Sequence, residues 1–466
     1  MMEAMGEQDP GWGGDEARRV ALWPVQAFAA VAAMGLVVRI WQHVGREPLW
    51  WGDSDDYLES ARAGVLSLSF WAGERPAAVP VLLKLVQGNR QLYVYAQVAI
   101  AVLAWAALAA SLATVLPASR RSWLAVVAIA AASVAFPVAM WERSVLSESL
   151  AMSFLVLVVA AGIQLARGLT GERTGLFLAA LAGWLLTRDS HASVVLLLGL
   201  AGLVWLAVGR PRFARPRVVL VVGVLGVAVL ASVSASHAHR YSYPLRNVFA
   251  ARVLPYPDRV AWFADHGMPQ ADQFTPPVPS EPGQPPVRWI GPDDPLMRPW
   301  LEWIDRDGRS TFLLWMITHP GYVLEEPWRN PERTFNDADG DRSFYAPLNM
   351  RGVPLVTGLL FPPRLVGLGL GFAAAAWAVQ RGRYRSPVFV AGAVTAVLAA
   401  PHGLISWHSD AMEAARHLVV PVVQFHLGVL LMLVGALVGG AEPPDSRQEA
   451  EEEALVAPEP LTTASG

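Results

Sequence analysis

Runs of apolar residues alternate with short polar segments along most of this 466-residue chain. The hydrocarbon core of a bilayer needs about 20 mostly apolar residues per helix, with a range of about 17–25. On this criterion the sequence predicts ten transmembrane helices, at residues 20–41, 91–116, 122–140, 149–168, 174–187, 190–208, 217–234, 354–379, 386–405 and 416–439. The run at 174–187 is short, and the next apolar run begins three residues later. A kinked or half-buried helix at 174–187 is therefore an alternative, and it would change the number of transmembrane helices.

The polar segments between these helices differ in charge, and the difference predicts an orientation. Arginine collects in the short cytoplasmic loops of membrane proteins. With ten helices, the arginine-rich short segments all fall on one side, and they contain Arg18 and Arg19; Arg120 and Arg121; Arg167 and Arg173; Arg210, Arg212, Arg215 and Arg217; and Arg381, Arg383 and Arg385. We therefore expect that side to be cytoplasmic, with both termini on it, in a cytoplasmic (inner or plasma) membrane.

The same topology divides the chain into five segments of different character. In chain order they are a cytoplasmic N-terminal tail at 1–19, helices one to seven at 20–234 with a long first outer loop at 42–90, an extracytoplasmic inserted domain at 235–353, helices eight to ten at 354–439, and a disordered cytoplasmic tail at 440–466. Within the inserted domain we expect helices near 246–266 and 297–325, separated by a proline-rich loop at 275–296.

Composition agrees with this pattern and excludes several kinds of protein. Hydrophobic residues make up 54% of the chain and charged residues only 16%, against about 25% charged in soluble domains. The net charge of −3 gives no indication of a nucleic-acid partner. Cysteine is absent, which excludes disulfides and thiolate chemistry. The predicted fold class is an all-α multi-pass membrane protein.

The densest group of ionisable residues follows the first helix, in Trp50-Trp51-Gly52-Asp53-Ser54-Asp55-Asp56-Tyr57. The tryptophan pair is typical of the membrane interface and places the carboxylates at headgroup level. At helical spacing Asp53, Asp56 and Tyr57 share one face, while Asp55 points elsewhere. A structural role is open, because Asp53 is a suitable N-cap and first-turn carboxylates favour the helix dipole. Three carboxylates exceed what one cap requires, so all three are candidate catalytic residues.

Other outer segments carry ionisable residues that could reach the same place. Arg75 precedes an apolar run at 77–86 that is too short to span and suits an interfacial helix. Glu148 enters the fourth helix, where an ionisable group is costly unless it is paired or functional. The remaining candidates for substrate binding lie before the sixth and the last helices, and they are Arg188, His191, His408 and Arg416.

Each of these residues also fits a structural role. Arg75 could anchor the loop to headgroups, and Arg188 could pair with its neighbour Asp189. Arg416 is a candidate phosphate clamp, because guanidinium bonds phosphate in a fork. His408 and Asp410 could bind a metal ion, but two such residues are weak evidence for a metal site.

The outer-face motifs resemble those of the GT-C superfamily of integral membrane glycosyltransferases, which use polyprenyl-phosphate-linked sugars. The resemblance covers residues 20–439 as architecture and rests on four short motifs: Asp53-Ser54-Asp55-Asp56-Tyr57, the stretch from Arg75-Pro76 to Pro80, Ser147-Glu148-Ser149-Leu150, and His319-Pro320-Gly321-Tyr322-Val323-Leu324. The chain departs from many members in carrying its soluble segment between helices rather than after the last one.

This resemblance implies a function and roles for the acidic residues. It implies an inverting transfer of sugar from a polyprenyl-phosphate donor to a glycan, lipid or protein acceptor of the cell envelope. An aspartate of the first outer loop serves there as catalytic base or helps to hold a divalent cation (Mg, Mn or Ca). Carried over, Asp53 is the first candidate base and Asp55 or Asp56 the second, with Asp53 and Asp55 as the metal pair.

Two other functions remain open from the sequence. A glycan polymerase or ligase of the O-antigen type would also use outer arginine and histidine, and would take a pyrophosphate-linked oligosaccharide. A lipid or polysaccharide transporter would place ionisable residues deep within spans and is often built from repeats. We find no internal repeat, and most ionisable residues lie at span edges, with Arg364 an exception.

Overall fold

The computed structural model describes residues 11–208, 215–269, 298–329, 352, 354–411 and 414–439. Apart from one isolated bridge between Leu49 and Ser144, all regular structure in these residues is helical. The helices are α1 Gly11–His43, α2 Gly52–Arg62, α3 Leu68–Trp71, α4 Ala78–Leu85, α5 Arg90–Ala113, α6 Arg120–Ser133, α7 Phe136–Ala139, α8 Glu148–Ala166, α9 Gly171–Leu185, α10 Asp189–Val208, α11 Arg215–His237, α12 Ser242–Val248, α13 Pro257–Asp265, α14 Arg298–Trp303, α15 Arg309–Thr318, α16 Pro320–Arg329, α17 Pro354–Leu360, α18 Arg364–Gln380, α19 Pro387–Ser409 and α20 Ala414–Val438. The all-helical class is therefore confirmed.

Seven of the described helices are long and apolar enough to cross a membrane, or up to nine spans if each of two bent pairs is one. The predicted spans at 122–140 and 354–379 correspond to the two bent pairs. The chain bends by 48° between α6 and Phe136–Arg143, and by 54° between α17 and α18. Proline explains both breaks, because Pro137, Pro362 and Pro363 lack the amide hydrogen that a continuous helix needs.

The predicted fifth span corresponds to α9, which has 15 residues and a length of about 22 Å. It is too short to count among the seven. Its direction follows from contacts at its end, because the Leu186 carbonyl accepts a hydrogen bond from the amide of Ala78 at 2.9 Å. The side chain of Arg188 also reaches Glu148 at the start of α8. Thus α9 returns the chain to the end of the bundle at which α8 begins.

Contacts at the helix ends show where the candidate site residues lie relative to one of the arginine-rich short segments. Glu148, at the start of α8, contacts Arg188 before α10 and Arg416 near the start of α20. At the far end of α20, Arg383 donates to the carbonyls of Ala436 and Leu437 at 2.9 and 2.7 Å. The candidate site residues and this arginine-rich segment therefore lie at opposite ends of the bundle.

The last two long helices, α19 and α20, pack with little space between their backbones. A Cβ atom added at Gly428 would lie 2.4 Å from the amide nitrogen of Ala396, and one at Gly435 would lie 2.5 Å from that of Phe389. Small residues at such contacts are typical of membrane helix pairs, because they allow close backbone approach. This packing fixes α20, which carries Arg416.

Several helices present apolar side chains outward, as a membrane span requires. On α11, Val219, Val222, Val229, Leu230 and Val233 are all exposed. In the interior, α1, α5 and α8 share a continuous hydrophobic core that includes Trp105 and Trp141. Exposed apolar surface on this scale suits lipid rather than water.

The inserted segment has a hydrophobic cluster of its own. Phe249, Phe263, Trp300, Trp303 and Phe312 are buried together in it. The helices predicted near 246–266 and 297–325 are present as α12 to α16, with π-helical turns at Phe249–Val253 and Ile304–Gly308. The predicted proline-rich loop at 275–296 and the C-terminal tail at 440–466 lie outside the described residues.

The first candidate membrane span begins at Ala21, within one residue of its predicted start, inside a longer helix. Residues 11–19 were assigned to a tail, yet α1 begins at Gly11. No proline interrupts this stretch, and Glu16, Ala17 and Arg18 are good helix formers. The first helix therefore extends well beyond its apolar run.

Candidate functional site

Trp51 is the N-cap residue of α2 and Ser54 supplies the side-chain bond to it, so the N-cap interpretation of Asp53 is wrong. The hydroxyl of Ser54 accepts from the amide of Trp51 at 3.0 Å and donates to the carbonyl of Val145 at 2.9 Å. At the other end, Lys84 of α4 donates to the carbonyls of Ala61 and Ala63 at 2.9 and 2.8 Å. These bonds fix α2 at both ends, and none of them involves the three aspartates of the helix.

Arg75 joins the three residues that the helical spacing placed on one face. Its Nη2 donates to Asp53 at 2.9 Å and to Asp56. The guanidinium also lies 5.5 Å from the centroid of the Tyr57 ring, which is buried. Asp55 instead accepts a hydrogen bond from Trp50 at 2.9 Å on the exposed side of the helix. Asp53, Asp56 and Tyr57 therefore form a common surface, and Asp55 does not belong to it.

Arg416 connects this surface to the start of α8. Its Nη1 donates to the second oxygen of Asp53 at 2.8 Å, and its Nε donates to Glu148. Glu148 is fully buried and also bonds Arg188, whose Nε donates to the hydroxyl of Ser147 at 3.1 Å. The first outer loop, α8, the turn before α10 and α20 thus meet at one place.

The result is a chain of six alternating charges, which we call the carboxylate–arginine cluster. In spatial order it contains Asp56, Arg75, Asp53, Arg416, Glu148 and Arg188. Counted over these six described side chains, the formal charges sum to zero, which favours the burial of Glu148 and Arg416. An anion that entered the cluster would have to displace a carboxylate from an arginine or bring a cation with it.

The position of Asp53 between two arginines sets its ionisation. Burial by itself would raise the pKa of Asp53, but the charges of Arg416 and Arg75 outweigh burial and lower the pKa below its ordinary value. Burial would likewise lower the pKa of Arg75, but the neighbouring Tyr57 and Asp53 raise it. Asp53 is therefore ionised, and Arg75 protonated, throughout the neutral range.

We expect this lowered pKa to appear in the pH dependence of stability. A carboxylate whose pKa is depressed by folding stabilises the protein above its ordinary pKa and loses that effect as pH falls through the folded value. The difference in unfolding temperature between wild type and Asp53→Asn should therefore stay constant above about pH 5 and shrink only below about pH 3.9. Thermal unfolding of both proteins in detergent across this range measures it.

Asp55→Asn is the matched control, because Asp55 is exposed and lies on the same helix. It should differ little from wild type at any pH. A difference for Asp53→Asn that already disappears between pH 5 and 7 would show that burial, and not the two arginines, dominates the pKa of Asp53.

Two predicted site residues lie apart from the carboxylate–arginine cluster. His191 is buried against Trp184, with ring centroids 4.2 Å apart, and its Nδ1 is 3.0 Å from the Trp184 carbonyl. His408 lies in the last turn of α19, where its Nε2 is 3.0 Å from the carbonyl of Val323. Neither histidine bonds a cluster member among the described residues.

The ion pair with Asp189 that was the alternative structural role of Arg188 does not form. Arg188 bonds Glu148, and Asp189 instead accepts three hydrogen bonds from Arg240, at 2.9, 3.0 and 3.2 Å. Arg240 also donates to the carbonyl of Gly73 at 2.8 Å, two residues before Arg75. Sequence reasoning missed this positioning role of Arg240, because no local pattern links the end of α11 to the first outer loop.

A second buried ion pair was also missed. Arg39 of α1 donates to Glu142 at 2.8 Å and to the carbonyl of Ser133 at 2.7 Å, and His43 lies 3.0 Å from the same carboxylate. The available signal was a charged residue within the first apolar run, since an arginine in a span normally requires a partner. This contact ties α1 to the bent pair beside it.

The geometry also bears on the predicted metal pair. Asp53 and Asp56 direct oxygens at the same nitrogen of Arg75, whereas Asp55 faces Trp50. Hard cations such as Mg²⁺ bind carboxylate oxygens that converge in this way. Asp53 with Asp56 therefore fits a cation better than the predicted Asp53 with Asp55. No group of three or more potential metal ligands occurs in the part of the chain that the structure describes.

Comparison with known proteins identifies no family for this chain, so only the geometry of the site indicates a function. No protein-family model matches the chain, and no curated protein matches its sequence.

Proposed function

We propose that this protein is a membrane glycosyltransferase of the GT-C type. It would transfer a sugar from a polyprenyl-phosphate donor to an envelope acceptor at the extracytoplasmic face. The observation that carries the proposal is Asp53, whose two carboxylate oxygens are held by Arg75 and Arg416 at one end of a membrane-spanning bundle. This arrangement puts a candidate base beside two candidate phosphate ligands.

Arg75 is suited to receive the donor phosphate. Both of its bonds to carboxylates use Nη2, and its Nε and Nη1 form no hydrogen bond with the residues that the structure describes. Its side chain is 28% exposed, so a ligand can approach it. Two donor nitrogens in a fixed plane match two oxygens of a phosphate.

The proposed reaction is a single displacement at the anomeric carbon. The acceptor hydroxyl oxygen forms a bond to that carbon as the bond to the phosphate oxygen breaks, and Asp53 takes the hydroxyl proton. Polyprenyl phosphate leaves with the bonding electrons, and Arg75 and Arg416 stabilise the added charge on it. Inversion of the anomeric configuration follows from one displacement.

Donor binding would also strengthen the base. In the resting cluster the arginines lower the pKa of Asp53, which makes it a weak base. When a phosphate draws those arginines away, the burial of Asp53 is no longer offset, and its pKa rises. A base is most effective when its pKa lies near the working pH. The cluster would thus couple donor binding to activation of Asp53.

A divalent cation would fit beside Asp53 and Asp56. The neutral cluster becomes negative when a phosphodiester enters, and a bound cation would restore the balance and stabilise the leaving phosphate. As the alternative to Asp53 acting as the base, Asp53 and Asp56 would hold the cation through their convergent oxygens.

A donor assay tests the proposal directly. The purified protein is reconstituted in vesicles with radiolabelled polyprenyl-monophosphate sugars and an envelope glycan extract. We expect release of polyprenyl phosphate coupled to labelled product. Turnover only with pyrophosphate-linked oligosaccharide would favour the polymerase or ligase instead, and flux of labelled lipid or glycan across the vesicle without product would favour a transporter.

A further inference from the structure

A second polar site lies where the inserted segment meets the end of α19. Arg252 is buried there, with its guanidinium 4.4 Å from the centroid of the Trp407 ring. Its Nη1 donates to the Trp407 carbonyl, and among the described residues no carboxylate bonds it directly. The charges of Glu326 and Asp410 act on Arg252 from nearby, but Arg259 bonds Glu326 and Asn247 bonds Asp410. A buried guanidinium that makes no direct ion pair is costly. This residue therefore suits an anionic ligand.

Two further buried polar atoms at this site lack partners within the described residues. They are the hydroxyl oxygen of Tyr322 and Nδ1 of His408, whose rings lie 5.3 Å apart. The bond from His408 to the carbonyl of Val323 assigns the ring proton to Nε2 and leaves Nδ1 as an acceptor. Burial raises the pKa of Tyr322 to about 12, so its hydroxyl remains a donor at neutral pH. Unpartnered groups of this kind require an explanation.

This second site adjoins the carboxylate–arginine cluster. Asp410, two residues after His408, accepts from Asn247 at 3.1 Å and lies 3.4 Å from Nε2 of His417. His417 directly follows Arg416. The π-helical turn at Phe249–Val253 carries Arg252, and such turns are frequent at functional sites. A molecule bound at Arg252 would therefore lie close to the proposed reaction centre.

We propose that Arg252, Tyr322 and His408 bind an acidic sugar unit of the acceptor. Its carboxylate pairs with Arg252, one of its hydroxyls donates to Nδ1 of His408, and Tyr322 donates to another of its oxygens. The faces of Trp407 and Tyr322 supply apolar surface for the sugar ring. A simple anion meets only the first requirement, whereas a sugar acid meets all of them. This inference rests on the proposed function, because it names the class of the acceptor.

Binding of D-glucuronate to the purified full-length protein, followed by calorimetry, tests this site. We expect saturable binding that Arg252→Gln weakens by about 10-fold or more, the effect of removing one charge-assisted hydrogen bond. Tyr322→Phe should weaken it by about 2- to 12-fold. D-Glucose should bind weakly and equally to wild type and Arg252→Gln. Arg298→Gln is the matched control, since Arg298 is exposed on the same inserted segment, and it should bind like wild type.

Each other outcome overturns the inference. Equal affinity for glucose and glucuronate, or no saturable binding of either, would rule out an acidic sugar as the ligand of this site. Sulfate that binds as tightly as glucuronate would reduce the site to one for simple anions. If Arg252→Gln does not fold, as judged by its unfolding temperature, the conservative Tyr322→Phe decides.

The proposed function can fail separately from this site. Asp53→Asn should retain glucuronate binding, because Asp53 lies in the other cluster. Glucuronate binding without sugar transfer from any polyprenyl donor would sink the glycosyltransferase proposal and leave the binding site. Transfer to acceptors with no acidic sugar, without glucuronate binding, would do the reverse.

Discussion

Replacing Asp53 with Asn is expected to reduce sugar transfer by about 10²- to 10⁴-fold, the usual contribution of a general base. Asn has nearly the same shape but cannot accept the proton of the acceptor hydroxyl. It also breaks the two charge interactions that place Arg75 and Arg416 beside each other. Initial rates with saturating polyprenyl-monophosphate donor, for equal amounts of folded protein in vesicles, give the measurement.

Asp55→Asn provides a closely matched control. Asp55 lies on the same helix two residues away, but it bonds Trp50 and faces outward. We expect near wild-type transfer from this variant, and we expect a substantial loss from Asp56→Asn, because Asp56 shares Arg75 with Asp53. Normal turnover by Asp53→Asn, or inactivation by Asp55→Asn alone, would contradict the assignment of the base.

The second large effect concerns stability. We expect Glu148→Gln to lower the free energy of unfolding by about 3–5 kcal/mol, the cost of breaking a buried ion pair. Glu148 is fully buried between Arg188 and Arg416, so the substitution removes the carboxylate charge that these two cations share. Denaturant unfolding in a fixed detergent, followed by tryptophan fluorescence, measures the change.

An exposed ion pair is the appropriate comparison for this experiment. Glu302 pairs with Arg298 four residues earlier on α14, and both side chains are mostly exposed. Glu302→Gln should change the free energy of unfolding by about 0.5 kcal/mol or less. If Glu148→Gln costs no more than this control, the carboxylate–arginine cluster does not hold the helix ends together, and its role would be confined to ligands.

Sequence patterns were sufficient for the architecture, because membrane burial is a property of local composition. The positions of the long helices followed from apolar length. Six of them begin within a few residues of the predicted starts, namely α5, α8, α10, α11, α19 and α20. The helical face shared by Asp53, Asp56 and Tyr57 also followed from spacing alone. Bends were missed at Pro137 and Pro362, because hydropathy stays high there although each proline removes an amide donor from the helix.

The tertiary structure decided which ionisable residues meet. Arg416 and Asp53 are separated by more than three hundred and sixty positions and are joined at 2.8 Å. No local pattern predicts such a pair, because its stability depends on burial and on the packing of α19 against α20. Helix packing also explains why Arg188 pairs with Glu148, whereas its neighbour Asp189 pairs with Arg240.

By itself, the sequence determined that the chain is a helical membrane protein and that its acidic residues follow the first span, since both depend on residue type and period. Only the tertiary structure decided that Asp53 lies between Arg75 and Arg416 and that the rings of Tyr322 and His408 pack together. Charge pairing at distances of about 3 Å depends on how helices from distant parts of the chain pack together, and packing is a property of the whole fold.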